Sequence, residues 1–204
     1  MIRPGKIVCV GRNYREHAKE MGNEVPAQPL LFLKPPSSVV ASGEAIALPA
    51  EAGRVDFEGE VGIVVGARLR KASADACAAA IRGIVAANDV SAREWQKHDD
   101  QWARAKGTDT FLPLGDESRK PRDLAALTLV TRVNGEERQR GNTADLVFPI
   151  PVLLAYITRY MTLEPGDLVL TGTPAGVGPL KAGDTVEVEI VGHSTVRSPV
   201  VAEP

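Results

Sequence analysis

The sequence predicts one β-rich α+β domain that spans residues 1–204. Glycine and proline contribute 19 and 15 of the 204 residues. Their combined share exceeds the average of about 12%, which favours a fold with many turns. Thr185–Ile190 alternates apolar and polar side chains, as expected of a strand with one buried face. Regular helices do not separate the predicted strands, so a doubly wound parallel sheet is not expected.

The first half of the chain predicts short strands and one helix. A strand over residues 6–10 leads to a helix over Arg15–Met21, which ends at a glycine. Pro26–Pro36 is expected to be extended and irregular. Glu60–Val65 is apolar, rich in β-branched residues and followed by glycine, which predicts a strand.

The rest of the chain continues this pattern. Ser73 is a suitable N-cap for a helix that runs to Arg82, and Gly83–Val90 follows as a buried strand. Asn134-Gly135 indicates a hairpin turn after the strand Leu127–Val133. Apolar residues at helical spacing predict a helix that opens at Pro149 or Pro151 and runs through Tyr160, with strands over Leu168–Thr171 and Thr185–Ile190 beyond it.

Composition excludes several classes of protein. The 24 basic and 26 acidic residues give a net charge of −2 and form no polybasic tract, so neither nucleic acid nor an anionic membrane surface is expected as a main partner. No apolar run is long enough for a membrane span or a signal peptide. Cys9 and Cys77 lie far apart, outside any CxxC or Cys/His cluster, so neither structural zinc nor a disulfide framework is expected. A cytoplasmic protein is predicted.

Two features suggest a metal site. In an extended backbone the carboxylates of Asp56, Glu58 and Glu60 point to one face. A hard divalent cation such as Mg²⁺ would turn their repulsion into coordination. Asp89 ends a buried apolar strand, where functional side chains often lie. Alternatively, the three carboxylates blunt an exposed strand edge and Asp89 caps a helix.

His17 and Glu20 are spaced i, i+3 on the predicted helix and can touch. A carboxylate beside an imidazole orients it and raises its basicity, which suits a general base. The alternative is an exposed helical pair. Gly172–Gly178 follows a strand and fits neither a Walker loop nor a dinucleotide loop. Its glycines suit backbone contacts to an oxyanion, or a simple tight turn.

Several segments together resemble the fumarylacetoacetate hydrolase family, in the small single-domain branch that includes acylpyruvases and oxaloacetate decarboxylases. They are VCVGRNYREHAKEMG (8–22), PLLFLKPPSSV (29–39), VDFEGEVGIVVG (55–66), NDVSARE (88–94), QWARAKGTDTF (101–111), VNGEERQRGNT (133–143) and MTLEPGDLVLTGTPAGVGPL (161–180). The resemblance covers nearly the whole chain. It implies a mixed β-roll or sandwich fold, a site holding Mg²⁺ or Mn²⁺, and a homodimer.

The resemblance also implies a role for individual residues. The metal ligands are Glu58, Glu60 and Asp89, the catalytic group is His17, Glu20 and Lys106, and the substrate-facing residues are Arg12, Lys34, Arg93, Gln96 and Thr173. Arg12 stands near where the long fumarylacetoacetases place a fourth metal carboxylate, and their N-terminal domain is lacking. Fumarylacetoacetate itself is therefore not the expected substrate.

These residues suit enolate chemistry on a keto acid. A divalent ion would act as a Lewis acid on a pyruvoyl group, with Lys106 as a second positive charge. In a C–C hydrolase of acylpyruvates His17 would activate water, and Thr173 with nearby N–H groups would hold the oxyanion. Two alternative reactions would pass through the same kind of enolate. They are decarboxylation of oxaloacetate, and isomerisation or decarboxylation of hydroxyheptadienedioate-like acids. A metal-stabilised structural β protein is the non-enzymatic alternative. An enzyme of any of these kinds needs the metal ligands, the base and the lysine in one pocket, whereas a structural metal site does not.

Overall fold

A computed structural model describes residues 3–22, 24–120 and 123–203. The strands are β1 (Ile7–Gly11), β2 (Leu30–Lys34), β3 (Val39–Ala41), β4 (Ile46–Leu48), β5 (Val55–Phe57), β6 (Gly59–Val65), β7 (Ile81–Asn88), β8 (Ser91–Ala92), β9 (Leu112–Leu114), β10 (Thr128–Val133), β11 (Glu136–Asn142), β12 (Leu168–Leu170), β13 (Gly178–Pro179), β14 (Thr185–Ile190) and β15 (Ser194–Ala202). The helices are α1 (Arg15–Glu20), α2 (Ala74–Ala79), α3 (Arg93–His98), α4 (Ala103–Gly107) and α5 (Ile150–Tyr160). Short 3₁₀ turns cover Pro36–Ser38, Ala50–Ala52 and Thr143–Asp145.

The strands form three sheets. A seven-stranded sheet has the order β2-β1-β12-β6-β7-β9-β3, a five-stranded sheet the order β11-β10-β14-β15-β4, and a three-stranded sheet the order β13-β5-β8. Most neighbours are antiparallel; the pairs β1 with β12, β3 with β9 and β4 with β15 are parallel. The fold is therefore α+β and mostly β, which confirms the predicted class.

Both faces of the seven-stranded sheet are buried. On one face, Val61 and Ile63 of β6 belong to a large apolar cluster with Leu153 and Ile157 of α5. That cluster also includes inward-facing residues of β10 and β14. On the opposite face, Val64 belongs to a second cluster. This alternation along β6 follows from the two-residue period of a strand, and it fixes β6 rigidly between two cores.

Several predicted elements are confirmed. Asn134 and Gly135 have φ values of 54° and 83°, so the hairpin turn uses the left-handed region that this pair favours. The Ser73 hydroxyl accepts a hydrogen bond from the Ala76 N–H at 3.2 Å, as an N-cap should. The last predicted helix runs over Ile150–Tyr160.

Two expectations were wrong. The helix after Ser73 ends at Ala79 rather than Arg82, because the backbone enters β7 at Ile81 and the Ala80 carbonyl accepts from the Gly66 N–H at 2.7 Å. Pro26–Pro36 is not irregular throughout: Leu30–Lys34 pairs with β1 over five residues. The flanking prolines hide this strand in the sequence, although prolines are tolerated where an edge strand begins or ends.

No helix in the described ranges has both the length and the apolar character needed to cross a bilayer.

Candidate active site

The antiparallel pair of β6 and β7 brings the predicted metal ligands together. Its register places Gly59 opposite Asn88 and Glu60 opposite Ala87. The Asp89 N–H donates to the Glu58 carbonyl at 2.8 Å, so these neighbours of the paired residues lie side by side. One carboxylate oxygen from each of Glu58, Glu60 and Asp89 lies within 4.8 Å of the other two. We call these three side chains the carboxylate floor.

The glycine between the two glutamates is required by packing. A Cβ on Gly59 would lie 2.0 Å from Thr131 Oγ1. Gln139 completes this side of the floor, because the Gly59 N–H donates to Gln139 Oε1 at 2.9 Å and Gln139 Nε2 donates to Thr173 Oγ1 at 2.8 Å. In the sequence, Gln139 is one of several polar residues of a predicted hairpin, and nothing there marks it as part of the site.

Buried cations surround the floor. Lys106 Nζ donates to Glu58 Oε2 and to Asp89 Oδ2, each at 2.7 Å. Lys34 Nζ donates to the other oxygen of Asp89, Oδ1, also at 2.7 Å. Arg93 lies 2.8 Å from Glu58 Oε1. Glu58 and Asp89 are therefore each held by two cations, and such pairing offsets part of the cost of burying a carboxylate.

Glu60 differs from the other two carboxylates. Its Oε2 accepts the Gly172 N–H at 2.7 Å, and no cation pairs with it among the described residues. Burial, together with the charges of Asp89 and Glu58, raises the pKa of Glu60 well above its usual value. For Glu58, burial works in the same direction, but the charges of Lys106 and Arg93 outweigh it and hold the pKa well below its usual value.

The predicted dyad lies above the floor. His17 Nδ1 is 3.3 Å from Glu20 Oε2, and the carboxylate of Glu20 accepts the Gly176 N–H at 3.1 and 3.2 Å. His17 is buried while Glu20 is exposed. The glycine-rich loop thus fixes the carboxylate, and the carboxylate orients the imidazole, as the i, i+3 spacing predicts.

A cavity of about 620 Å³ connects these groups. Of the predicted site residues, it is lined by Arg12, His17, Glu20, Glu58, Glu60, Asp89, Arg93, Gln96, Lys106 and Thr173. The cavity also has an aromatic wall that was not predicted, where Phe32 and Trp102 pack edge to face with ring centroids 5.3 Å apart. An aromatic residue in a sequence gives no sign that distinguishes a cavity wall from a core position.

The predicted substrate-facing residues fall into different settings. Arg12 lines the cavity with φ at 59° and makes no ion pair with any residue that the structure describes. Arg93 donates to Asp56 Oδ2 and to Gln96 Oε1, each at 2.8 Å. Asp56, the third carboxylate of the predicted face, is thereby an anchor for arginine and lies outside the floor.

Lys34 and Thr173 have partners within the protein. Lys34 is fully buried behind Asp89 and is absent from the described lining of the cavity. Its predicted contact with a substrate carboxylate stays a prediction that this position does not favour. The Thr173 hydroxyl donates to the Gly59 carbonyl at 2.8 Å. The proton that an oxyanion would need is therefore already engaged.

Comparisons with known proteins give matches in sequence and fold along nearly the whole chain. A family model described as fumarylacetoacetate (FAA) hydrolase C-terminal matches residues 6–201. An oxaloacetate tautomerase of Escherichia coli is 41% identical over 199 residues, covering 93% of this chain and 90% of that protein. A mitochondrial oxaloacetate decarboxylase of Dictyostelium discoideum is 42% identical over 197 residues, again covering 93% of this chain and 90% of that protein. The crystal structure of 2-hydroxyhepta-2,4-diene-1,7-dioate isomerase from Mycobacterium marinum matches with a TM-score of 0.91 and 45% identity, over 99% of this chain and 76% of that one.

Proposed function

Because the chain belongs to the fumarylacetoacetate hydrolase family, we propose that it is a divalent-metal-dependent enzyme that forms and directs the enolate of a 2-oxo acid. Proton transfer between the keto and enol forms of an oxaloacetate-type dicarboxylic acid is the reaction that we favour. One observation carries this proposal: the carboxylate floor, Lys106 and His17 line a single cavity. The structural-metal alternative needs no base or lysine beside the ligands, so this convergence counts against it.

The floor fits Mg²⁺ or Mn²⁺. Glu58, Glu60 and Asp89 offer hard oxygen ligands from three carboxylates, which is the donor type these ions prefer. Glu60 has no cation partner among the described residues and only the Gly172 N–H as a donor, so its charge is less compensated than those of Glu58 and Asp89, and burial raises its pKa. A divalent cation at this place would supply that compensation and, when bound, would act as a Lewis acid towards a 2-oxo group.

The side chains of the cavity divide the remaining work. Lys106 brings a positive charge to the place where enolate charge develops. His17 is positioned by Glu20 to take a proton from the carbon next to the carbonyl, or to return it. Arg12 is the half-buried cation on the cavity wall with no internal ion pair in the described ranges, which suits it to the second carboxylate of the substrate.

Hydrolysis of acylpyruvates is the second candidate, and the anchoring of Glu20 favours it. Gly176 holds Glu20, and Glu20 orients His17, so the imidazole is arranged as a base for water. Attack of that water on the distal carbonyl would give a tetrahedral adduct, and its collapse would break the C–C bond to give a carboxylate and the enolate of pyruvate, which is then protonated. Because Thr173 is engaged with Gly59, backbone N–H groups of the loop are the remaining candidates to hold the oxyanion.

A substrate panel separates these reactions. Purified protein is assayed with Mn²⁺, or with a chelator, on enol-oxaloacetate, keto-oxaloacetate, acetylpyruvate and a 2-hydroxydienedioate. The proposal expects metal-dependent loss of the ultraviolet absorbance of enol-oxaloacetate. Metal-dependent pyruvate release from acetylpyruvate alone would favour the hydrolase instead. If no substrate shows metal-dependent turnover, both candidate reactions are contradicted. The Glu117→Gln variant, whose substitution lies away from the cavity, serves as the folded control in these assays.

We also propose a homodimer and a cytoplasmic location, as the sequence analysis expects. Closed two-fold symmetry is the default for a homo-oligomer of this kind. Light scattering at micromolar concentration should give twice the mass of one chain, and the mass of a single chain would contradict the dimer.

A further inference from the structure

Two lysines with buried ammonium groups contact the same carboxylate from opposite sides. Lys34 Nζ lies 2.7 Å from Asp89 Oδ1, and Lys106 Nζ lies 2.7 Å from Asp89 Oδ2. Lys106 is also 2.7 Å from Glu58 Oε2, so its ammonium bridges two members of the carboxylate floor. The contacts of Lys34 are confined to Asp89 and the Val90 carbonyl, at 3.4 Å, within the parts of the chain that are described.

The two lysines also differ in what lies beside them. Lys106 lines the cavity, and its ammonium lies 5.1 Å from the ring centroid of Phe32, which lines the same cavity. The side chain of Lys34 is 0% exposed, and the described lining leaves it out. Because Lys106 already lines the cavity and has Phe32 within cation–π distance, its ammonium can leave the floor for the cavity. Lys34 is buried and adjoins no described part of the cavity.

Every carboxylate oxygen of Glu58 and Asp89 already contacts a cation, and Lys106 is the cation that holds one oxygen of each. A divalent ion bound to both carboxylates would repel this ammonium strongly in a poorly solvated site, so Lys106 is the cation that it would displace. After Lys106 leaves, Glu58 still has Arg93 at 2.8 Å and Asp89 still has Lys34 at 2.7 Å. Each carboxylate therefore keeps one cation as a partner while it binds the metal.

From these contacts we propose that the two lysines have different roles, a proposal that rests on the metal site of the proposed function. Lys34 is a positioning residue, a fixed counter-ion that holds Asp89 from behind. Lys106 is an exchangeable counter-ion that a divalent ion displaces from Glu58 and Asp89 into the cavity. Metal binding would thereby also deliver the ammonium of Lys106 to the space where substrate binds.

The test measures Mn²⁺ binding by calorimetry without substrate, on chelator-treated protein at pH 8. Lys106→Met removes the competing cation and should tighten Mn²⁺ binding by about tenfold or more. Lys34→Met is the matched control, since it removes a cation at the same distance from Asp89 but not the bridge. It should bind Mn²⁺ no more tightly than the wild type, because Asp89 loses the contact that orients it.

A measurement on the wild type covers the case in which a variant fails to fold. Reductive methylation followed by mass spectrometry should show that Mn²⁺ increases the reactivity of Lys106 and leaves Lys34 protected. Unchanged or reduced reactivity of Lys106 would overturn the exchange. If Lys34→Met and Lys106→Met increase the affinity for Mn²⁺ equally, or if Lys106→Met does not increase it, the proposed difference between the two lysines is overturned. Wild-type protein that binds no Mn²⁺ would overturn the metal site of the proposed function, and the exchange with it.

Discussion

The carboxylate floor and the dyad above it are built in opposite ways. The side chain of Asp89 on the floor is 1% exposed, whereas that of Glu20 in the dyad is 34% exposed. The floor lies on and beside two long strands, β6 and β7, which pack between apolar clusters. The dyad lies on α1, a helix of six residues with no side-chain N-cap.

This difference suggests that the two regions of the cavity contribute to different properties, metal binding on the floor and reaction rate in the dyad. Buried charges on paired strands are fixed before anything binds, and their energies are large because water is excluded. A six-residue helix is too short to be stable alone and depends on its contacts with the rest of the fold. Changes on the floor should therefore alter stability and metal binding, and changes in the dyad should alter rates while leaving the metal site intact.

The largest effect on stability is expected at Asp89. Asp89→Ala leaves Lys34 and Lys106 without this partner, and breaking a buried charge pair costs about 3–5 kcal/mol. Glu60→Gln replaces a carboxyl group with a raised pKa by a neutral isostere, so the free energy of unfolding should change by less than about 1 kcal/mol. Urea unfolding of chelator-treated protein measures both values. Equal losses in the two variants would show that Asp89 and Glu60 are not electrostatically distinct.

The next effect concerns rates. His17→Ala removes the proposed base, which should lower tautomerisation and acylpyruvate hydrolysis by about 10²–10⁴. Oxaloacetate decarboxylation, if present, should fall less, because loss of CO₂ requires stabilisation of enolate charge but no base. Steady-state kinetics with Mn²⁺ decide this. Wild-type rates in His17→Ala would make the dyad structural, and an equal fall of all three reactions would withdraw the role in proton transfer.

The smallest effect is expected in an ion-pair group far from the cavity. Glu117 accepts hydrogen bonds from Arg82 and Arg119, each at 2.9 Å. Burial alone would raise the pKa of Glu117, but these arginines lower it. A lowered pKa means that the stabilisation is present near neutral pH and is lost as the pH falls below about 4.5.

Glu117→Gln should therefore cost less than about 1 kcal/mol at pH 7, because the pair is partly solvated. The difference from the wild type should shrink at pH 3. Urea unfolding at both pH values checks this, and a constant difference would mean that the ionised carboxylate contributes nothing.

The sequence predicts the floor better than its surroundings. The Glu-Gly-Glu pattern and the aspartate at a strand end are local signals, and antiparallel pairing of β6 with β7 converts them into one cluster. Lys34 is different, because its contact with Asp89 spans 55 residues of sequence. No local pattern distinguishes a lysine bonded to a buried carboxylate from one that contacts substrate.

The boundaries of some strands and helices are not predicted from the sequence for a related reason. The edge strand Leu30–Lys34 is flanked by prolines, and only its pairing with β1 makes it a strand. Gln139 is similar, since its bonds to Gly59 and Thr173 join three segments that are distant in sequence. Such residues follow from tertiary packing, which local propensity and periodicity do not encode.

We propose that Glu58, Glu60 and Asp89 hold one divalent ion on the floor, independently of the dyad. Calorimetric titration of chelator-treated protein with Mn²⁺, on wild type, Glu60→Gln and Glu20→Gln, measures this. We expect one site per chain in the wild type, affinity weakened by at least about tenfold in Glu60→Gln, and unchanged affinity in Glu20→Gln. Wild-type affinity in Glu60→Gln, or equal weakening in both variants, would contradict it.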